Sequence, residues 1–442
     1  MSEMSFNGLY AVADLWPNLQ SLLGLFALLA LAWLWGERRG PVPWRLIIAS
    51  VSLQFLLALV LLRLPVVSDL LLSLSQVVLV LQQATQVGTA FVFGYLGGGP
   101  TPYTVHQPQH GLVLAFQVLP LVLVMSALSA LLFYWRILPL IVTGFSWMLQ
   151  RSLGIGGVVG MAAAANVFVG MVEAPLLVRF YLKQLSRTEL LAIMIVGLST
   201  IAGTMLVVYA SFLDGVIATP IVHILTASVI SAPAGLVVAA LMIPADQRES
   251  VRLDDSQSSA PSASTMSLPY QSAMDALVQG ISQGAQLLIQ IVSALLVVVA
   301  LVELINLCLG VLPQIGEAPL TLQRLLGWVM APFTWLLGLS VSELQTAGSL
   351  LGIKTAVNEF LAFQELKALS SEALSERSRL ILAYALCGFT NPVSLGILIS
   401  GLTAMVPERH SEIVALGWRA LLGGVLATSM TGAVIGVMTI AA

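Results

Sequence analysis

Charge is what this sequence has least of: Asp, Glu, Lys and Arg make up 9% of its 442 residues, against about 25% in an ordinary soluble domain. Such a chain cannot clothe a water-facing surface, and the common soluble classes are excluded. Lys and Arg number 18 against 21 Asp and Glu, so no basic surplus exists to hold a nucleic acid polymer. Cys308 and Cys387 stand far apart in apolar sequence, which leaves neither a disulfide framework nor a thiolate cluster. The four histidines show no metal spacing. A basic n-region is also missing, Glu3 and Asp14 preceding the first apolar run, so that run is expected to remain as a span. H-E-x-x-H and G-x-S-x-G do not occur, which makes an intramembrane enzyme the weaker alternative.

What the sequence has is apolar length. Hydrophobic residues reach 58%, and stretches approaching the ~20 residues that cross a bilayer recur at Leu19–Trp35, Leu46–Leu62, Gly111–Tyr134, Leu190–Leu213, Val216–Ile243, Ala285–Leu312, Leu380–Leu402 and Trp418–Ile440. The expected fold class is an all-α polytopic membrane protein with about eight transmembrane helices. Arg38, Arg39 and Arg45 place the first loop in the cytoplasm by the positive-inside rule. Carrying this forward puts Arg136, Arg151, Arg179, Lys183, Arg187, Arg248 and Arg252 inside, and Lys367, Arg377 and Arg379 outside, against the rule. Within Ser68–Gly97, Leu70, Leu74, Val77 and Leu81 share one helical face while Gln76, Gln83 and Gln86 share another, which predicts an interfacial helix. Pro244–Ser272 is a hydrophilic Ser-, Ala- and Pro-rich linker between two halves.

The halves repeat one pattern. Asn166-Val167-Phe168 runs to Glu173, and Asn358-Glu359-Phe360 runs to Glu365 at the same spacing. Leu185-Ser186 and Leu374-Ser375 follow, then apolar helices interrupted at Ser199-Thr200-Ile201-Ala202-Gly203 and at Cys387-Gly388-Phe389-Thr390-Asn391-Pro392. Internal repeats with Gly/Pro-broken hydrophobic segments are how secondary transporters build a mid-membrane binding site. Gly154–Leu182 and Ser340–Ala368, apolar and rich in Gly and Ala yet bearing acids, read as two re-entrant helical hairpins.

A carboxylate in such a segment costs several kcal/mol unless paired or hydrated, which makes Glu173 and Glu359 functional candidates; Glu365, beside Lys367, reads as a charge at an aqueous edge. Asn166, Thr200, Asn391 and Ser394 bring amides and hydroxyls to the helix breaks, where freed carbonyls can ligate a small cation and side chains can bind a polar solute. Helix-to-helix hydrogen bonding is their plainer role, and their recurrence at equivalent points of two repeats favours a site. Glu303 with Asn306 reads as packing or a helix end. His106, His110 and His410 fall in polar loops, and His223 is a minor candidate for proton transfer.

Taken together, Phe91-Val92-Phe93-Gly94, ANVFVGMVEAPLLVRFYL (Ala165–Leu182), STIAGT (Ser199–Thr204), TASVISAPAGL (Thr226–Leu236), APFTWLLG (Ala331–Gly338), GSLLGIKTAVNEFLAF (Gly348–Phe363) and LSERSRLILAYALCGFTN (Leu374–Asn391) resemble the concentrative nucleoside transporters. The resemblance implies a homotrimeric, elevator-type importer with an inverted internal repeat, in a bacterial inner (plasma) membrane. It implies a Na+ site at Asn166, Val169, Thr200 and Ile201. Glu359, Asn391 and Ser394 become the ribose-binding group, Phe389 their aromatic neighbour, and Gly170, Met171, Val172, Glu173 and Met205 the surroundings of the base. The implied domains are scaffold over 1–150, a first transport repeat over 151–243, the linker at 244–272, a scaffold helix and connection over 273–338, and a second transport repeat over 339–442. Partners are a small nucleoside-like solute and membrane lipid, and the coupling ion is the one cofactor-like requirement.

One departure stands out. The family's first-hairpin motif is Gly-Gln-Ser/Thr-Glu-Ala-Pro-Leu, and this chain has Gly170-Met171-Val172-Glu173-Ala174-Pro175-Leu176. Met and Val cannot hydrogen-bond a base, so the ribose half of the implied site is kept while the base half is changed; Met suits an adaptable pocket. The alternative is a proton-coupled carrier of a different sugar-containing or modified-nucleoside compound, with Glu173 accepting the proton. A receptor or an enzyme is the alternative from another class.

Overall fold

The computed structural model describes residues 4–37, 42–104, 111, 113–244, 270–314 and 319–439, within which all regular structure is helical. A helix satisfies its own backbone, the condition for lying in hydrocarbon. Five helices open the chain: α1 (Met4–Leu34), α2 (Trp44–Arg63), α3 (Pro65–Phe93), the single turn α4 (Leu114–Gln117) and α5 (Leu121–Tyr134). An order of elements then occurs twice. The first run is α6 (Ile137–Leu153), α7 (Gly157–Asn166), α8 (Glu173–Leu176), α9 (Arg187–Ser199), α10 (Gly203–Leu213) and α11 (Pro220–Met242). After α12 (Ala273–Gly310), the second is α13 (Leu322–Leu336), α14 (Leu344–Ala356), α15 (Glu359–Ala368), α16 (Glu376–Leu386), α17 (Pro392–Met405) and α18 (His410–Met438).

The two Leu-Ser pairs start the broken helices. Ser186 forms a capping box with Glu189 at the head of α9, and the Ser375 hydroxyl accepts from Ser378 N at the head of α16. Both breaks fall where the sequence places them, α9 ending at Ser199 with α10 resuming at Gly203, and α16 ending at Leu386 with α17 resuming at Pro392. Pro392 lacks an N–H and has a fixed φ, so it suits the first turn of a new helix.

Eight helical stretches among the described residues are long and apolar enough to cross a membrane, but their identities differ from the expected eight in one place. Leu380–Leu402 is two half-helices. The segment expected to lie at the interface is part of α3, 29 residues long, or about 43 Å, and its Gln76–Gly97 is by length and composition also apolar enough to cross a membrane.

At the centre lie α9, α11 and α18, buried along most of their length. Ser231 Oγ and Thr431 Oγ1, 3.0 Å apart, join α11 to α18. Asn18 Nδ2 donates to Val437 O and Thr439 O, both at 2.8 Å, fastening α1 along α18. At one end of the bundle Glu37 pairs with Arg187 at 2.6 Å and with Arg419 at 3.0 Å, while Lys183 meets Glu408 at 2.5 Å. At the other, Arg377 donates to Gly338 O at 2.5 Å and to Gly436 O at 2.8 Å. Arg379 donates to Leu374 O and Ser370 O. Arg377 and Arg379, which break the positive-inside pattern, are thus occupied by backbone carbonyls of the fold. Arg38, Arg39, Arg248, Arg252, His106, His110 and most of the linker lie outside the described residues.

The helix α12 has 38 residues and spans about 57 Å. It exceeds a ~30 Å hydrocarbon core, so it must tilt or project. Its Ala276, Gly280 and Gly284 are buried. A Cβ at Gly280 would stand 2.8 Å from Ala127 Cα, and one at Gly284 would stand 2.9 Å from Leu123 Cα. This stripe of small residues lets α12 and α5 pack backbone to backbone.

Candidate functional site

The second repeat presents a carboxylate held from two sides. Asn358 interrupts the hairpin between α14 and α15, its Oδ1 accepting from Leu361 N at 2.8 Å as a helix cap. Glu359 is therefore the first residue of α15, and it is buried. Its Oε1 accepts from the Tyr209 hydroxyl at 2.7 Å, and its Oε2 accepts from Asn391 Nδ2 at 2.8 Å. Asn391 caps α17, its Oδ1 accepting from Ser394 N at 2.9 Å. The cap occupies the oxygen, so the amide nitrogen must face Glu359. Tyr209 comes from α10 in the first repeat and stacks on Phe363 with centroids 5.0 Å apart.

Beneath this network Lys354 is fully buried in α14. Its Nζ donates to Ala385 O at 2.7 Å and to Thr428 Oγ1 at 2.6 Å. Ala385 lies in the last turn of α16, where carbonyls have no intrahelical partner and the helix dipole is negative. The ammonium thus closes the first half of the broken helix.

The first repeat gathers neutral oxygens. Asn166 ends α7, and its Nδ2 donates back to Ala162 O at 3.1 Å. Its Oδ1 is buried without a hydrogen-bond partner. Thr200, in the break after α9, donates through Oγ1 toward Val196 O at 2.8 Å and lies 3.3 Å from Asn166 O. Ser228 of α11 accepts from Ile201 N at 3.2 Å and sits 3.3 Å from Ile201 O. Gly203 N donates to Phe168 O at 3.1 Å, docking the hairpin loop on the start of α10. Glu173 curls back over Gly170, where φ is +145° and a Cβ would lie 2.4 Å from the Glu173 carboxylate.

A cavity of about 1650 Å³ opens over both repeats. Val169, Gly170, Met171, Val172, Glu173, Met205, Glu359, Phe389, Asn391 and Ser394 all line it, whereas Asn166, Thr200 and Ile201 lie buried behind it. Val172 also packs on α17, its Cγ1 standing 2.9 Å from where Gly401 would carry a Cβ. Glu365 is only partly buried, at the hairpin's far end, and contacts Gln323. Asn306 accepts from Leu322 N at 2.8 Å and donates to Gln323 at 3.2 Å, a loop-closing role. His223 Nδ1 lies 2.9 Å from the Tyr384 hydroxyl at a smaller cavity of about 310 Å³.

Tyr209, Lys354 and a row of glutamines on α12 were not singled out from the sequence. Lys354 had a signal, an ammonium in mid-hairpin. Gln279, Gln283, Gln286 and Gln290 had one too, helical spacing inside an apolar helix. Tyr209 had none, since a tyrosine in an apolar helix has no distinctive pattern.

This architecture of paired hairpins and broken helices is that of a secondary transporter. Residues 223–436 match the Na+ dependent nucleoside transporter C-terminus, residues 23–96 the corresponding N-terminus, and residues 115–215 a gate described as nucleoside recognition. The nucleoside permease NupC of Helicobacter pylori is 32% identical over 427 residues, covering 96% of this chain and 98% of the permease. An uncharacterized transporter of Haemophilus influenzae is 34% identical over 425 residues, 95% of this chain and 97% of its own. The solved structure of CNTnw in an inward-facing substrate-bound state superposes with a TM-score of 0.82 at 34% identity, covering 95% of this chain and 98% of CNTnw. The chain belongs to the concentrative nucleoside transporter family: it is an integral, multi-pass, all-helical membrane transporter.

Proposed function

We propose that this protein is a Na+-coupled importer of a nucleoside or nucleoside-like solute in a bacterial inner membrane, working as a homotrimer by elevator-type alternating access. The observation that carries the reading is the Glu359 network at the cavity wall. An ionised carboxylate offers about four acceptor positions, and Tyr209 and Asn391 occupy two. The remainder suit vicinal hydroxyls of a ribose, with the Ser394 hydroxyl and the second Asn391 N–H beside them and the Phe389 ring for a sugar or base face. Charge-assisted bonds to a neutral solute give affinity without requiring a charged substrate.

The Na+ assignment rests on Asn166 Oδ1, a buried acceptor with no protein partner, on the residue whose backbone carbonyl lies 3.3 Å from the Thr200 hydroxyl at the break. These donors are neutral oxygens, hard ligands suited to a monovalent cation. Bound there, Na+ would neutralise the break and hold the first hairpin against α10. Substrate and ion would then raise each other's affinity by the same factor. Scaffold is assigned to 1–150 and 273–338, and the moving domain to 151–243 and 339–442.

Glu173, at the cavity between Val172 and the hairpin turn, favours the second reading, proton coupling with a different sugar-containing substrate. A thermal-shift screen of nucleosides, modified nucleosides and nucleoside antibiotics, each in Na+ and in choline, separates the two. Na+-dependent stabilisation by one nucleoside class is expected. Stabilisation indifferent to Na+, with uptake driven by a pH gradient, would replace the Na+ reading.

A further inference from the structure

The wall facing the hairpins belongs to α12. Gln279, Gln283, Gln286, Gln290 and Ser293 line the cavity there, at steps of four, three, four and three residues, which is one helical face. This face is separate from the stripe of Ala276, Gly280 and Gly284 that packs on α5, so packing does not require the amides. Gln279 Nε2 donates to Asp275 at 2.7 Å, and Gln283 meets the Tyr270 hydroxyl. Gln286 and Gln290 make no hydrogen bond to the described residues and stand exposed to the cavity. Polar side chains on a membrane-crossing helix are placed where they line a cavity, and a row of them facing one is a candidate for solute contact.

Across the same cavity Met171 and Val172 offer a base no hydrogen bond. A primary amide presents one acceptor and two donors side by side, and glutamine makes paired bonds to base edges elsewhere in biology. The geometry points to Gln286 and Gln290 as specificity-determining residues that read the polar edge of the base from the α12 wall, while Glu359 and Asn391 hold the sugar. The amide can rotate by half a turn and exchange donor with acceptor, so this wall accepts bases of different pattern. Because α12 lies across the cavity from the hairpins, the contact forms only in the conformation that brings them face to face. This inference rests on the nucleoside reading above and deepens it.

The test is uptake into proteoliposomes by the full-length wild type, Gln286→Leu, Gln290→Leu and the double variant. Two substrates are compared in the same preparation: uridine, and a C-riboside carrying a phenyl ring in place of the base. Loss of paired amide bonds should raise KM for uridine about tenfold or more, with KM for the phenyl riboside unchanged. The phenyl riboside reports folding and sugar binding in the same vesicles, so a misfolded variant cannot mimic the result. An unchanged KM for uridine, or an equal change for both substrates, overturns the role of the glutamines and leaves the nucleoside reading standing. Failure of the wild type to carry either riboside, in Na+ or in a pH gradient, overturns both.

Discussion

Asn391 faces two ways: its Oδ1 accepts from Ser394 N at 2.9 Å and caps α17, while its Nδ2 donates to Glu359 Oε2 at 2.8 Å. One side chain therefore starts a helix and fixes the carboxylate of the hairpin in its own repeat, so the break in the second repeat and the shape of the site are a single feature.

The two partners should respond differently to substitution. Glu359→Gln can keep both protein contacts, its oxygen accepting from Asn391 and its NH2 donating to the Tyr209 hydroxyl, but bonds to substrate become neutral, worth about 0.5–1.5 kcal/mol in place of about 1.5–3. We expect substrate affinity to fall by one to two orders of magnitude with melting temperature nearly unchanged. Asn391→Ala removes the cap as well, worth about 0.5–2 kcal/mol, so it should lower both affinity and melting temperature. Near-normal uptake by both variants would remove Glu359 and Asn391 from the site.

Gly388 is where the two broken helices cross. Its φ is +151°, and a Cβ there would stand 2.7 Å from Thr428 Cγ2 and 3.0 Å from Ser199 O. Gly388→Ala combines a strained backbone with overlap against a carbonyl that cannot move independently. We expect a loss of about 1–3 kcal/mol and weakened coupling between ion and substrate. Unaltered thermal unfolding and an unaltered Na+ dependence of uptake would show that the crossing tolerates a methyl group.

Much of this arrangement was legible in the residues. Gly203, Gly388 and Pro392 punctuate apolar runs, and Ser186 and Ser375 carry cap chemistry, so breaks and starts could be placed without coordinates. The three glutamines of α3 share one face of a helix that is also long and apolar, so its length and its pattern point to different placements. Leu380–Leu402 is long enough for a span and broken at Cys387–Pro392, and both features are readable in the residues. Tyr209 and Lys354 escaped because their partners, Glu359 and Ala385, are distant in sequence or belong to the backbone. The α12 glutamines are readable at helical spacing, but the apolar stretch Ala285–Leu312 holds only Gln286 and Gln290 of them, which divides their stripe.

The oxygen cluster at the first break carries a prediction about ions. Asn166→Ala deletes the unpartnered Oδ1, and Thr200→Ala deletes the hydroxyl beside Asn166 O. Each should raise the Na+ concentration for half-maximal uptake about tenfold, the order of one lost charge-assisted ligand. The excess melting temperature in NaCl over choline chloride should shrink accordingly. Retention of the full Na+ effect in both variants would move the ion site elsewhere.

Lys354 is a fully buried amine beneath the Glu359 network, tied to the end of α16 and to α18. Lys354→Met fits the same slot, but it leaves Ala385 O and Thr428 Oγ1 without their donor. Release from burying an ammonium opposes that loss, so stability should change less than function. We expect substrate affinity to fall about tenfold, as the second hairpin loses its anchor to α16 and α18. An equilibrium binding titration checks this, and an affinity equal to wild type would make Lys354 a packing residue only.

Met171 and Val172 leave the first hairpin without a side-chain hydrogen bond for a base, and their surroundings permit polar replacements. Val172 rests its methyl groups on Gly401, with Cγ1 2.9 Å from where a Cβ there would stand. Threonine has the same outline, so Val172→Thr can keep one methyl on Gly401 and turn its hydroxyl to the cavity. Met171→Gln exchanges one unbranched side chain for another of similar size and places an amide at the lining. The paired variant should therefore fold as the wild type does and gain hydrogen bonds to a base, each worth about 0.5–1.5 kcal/mol. Affinity for uridine or adenosine should rise about tenfold, while affinity for a phenyl riboside stays level or falls. The competition assay that measures both decides the matter: an unchanged ratio of the two would mean that the base does not meet the first hairpin at all.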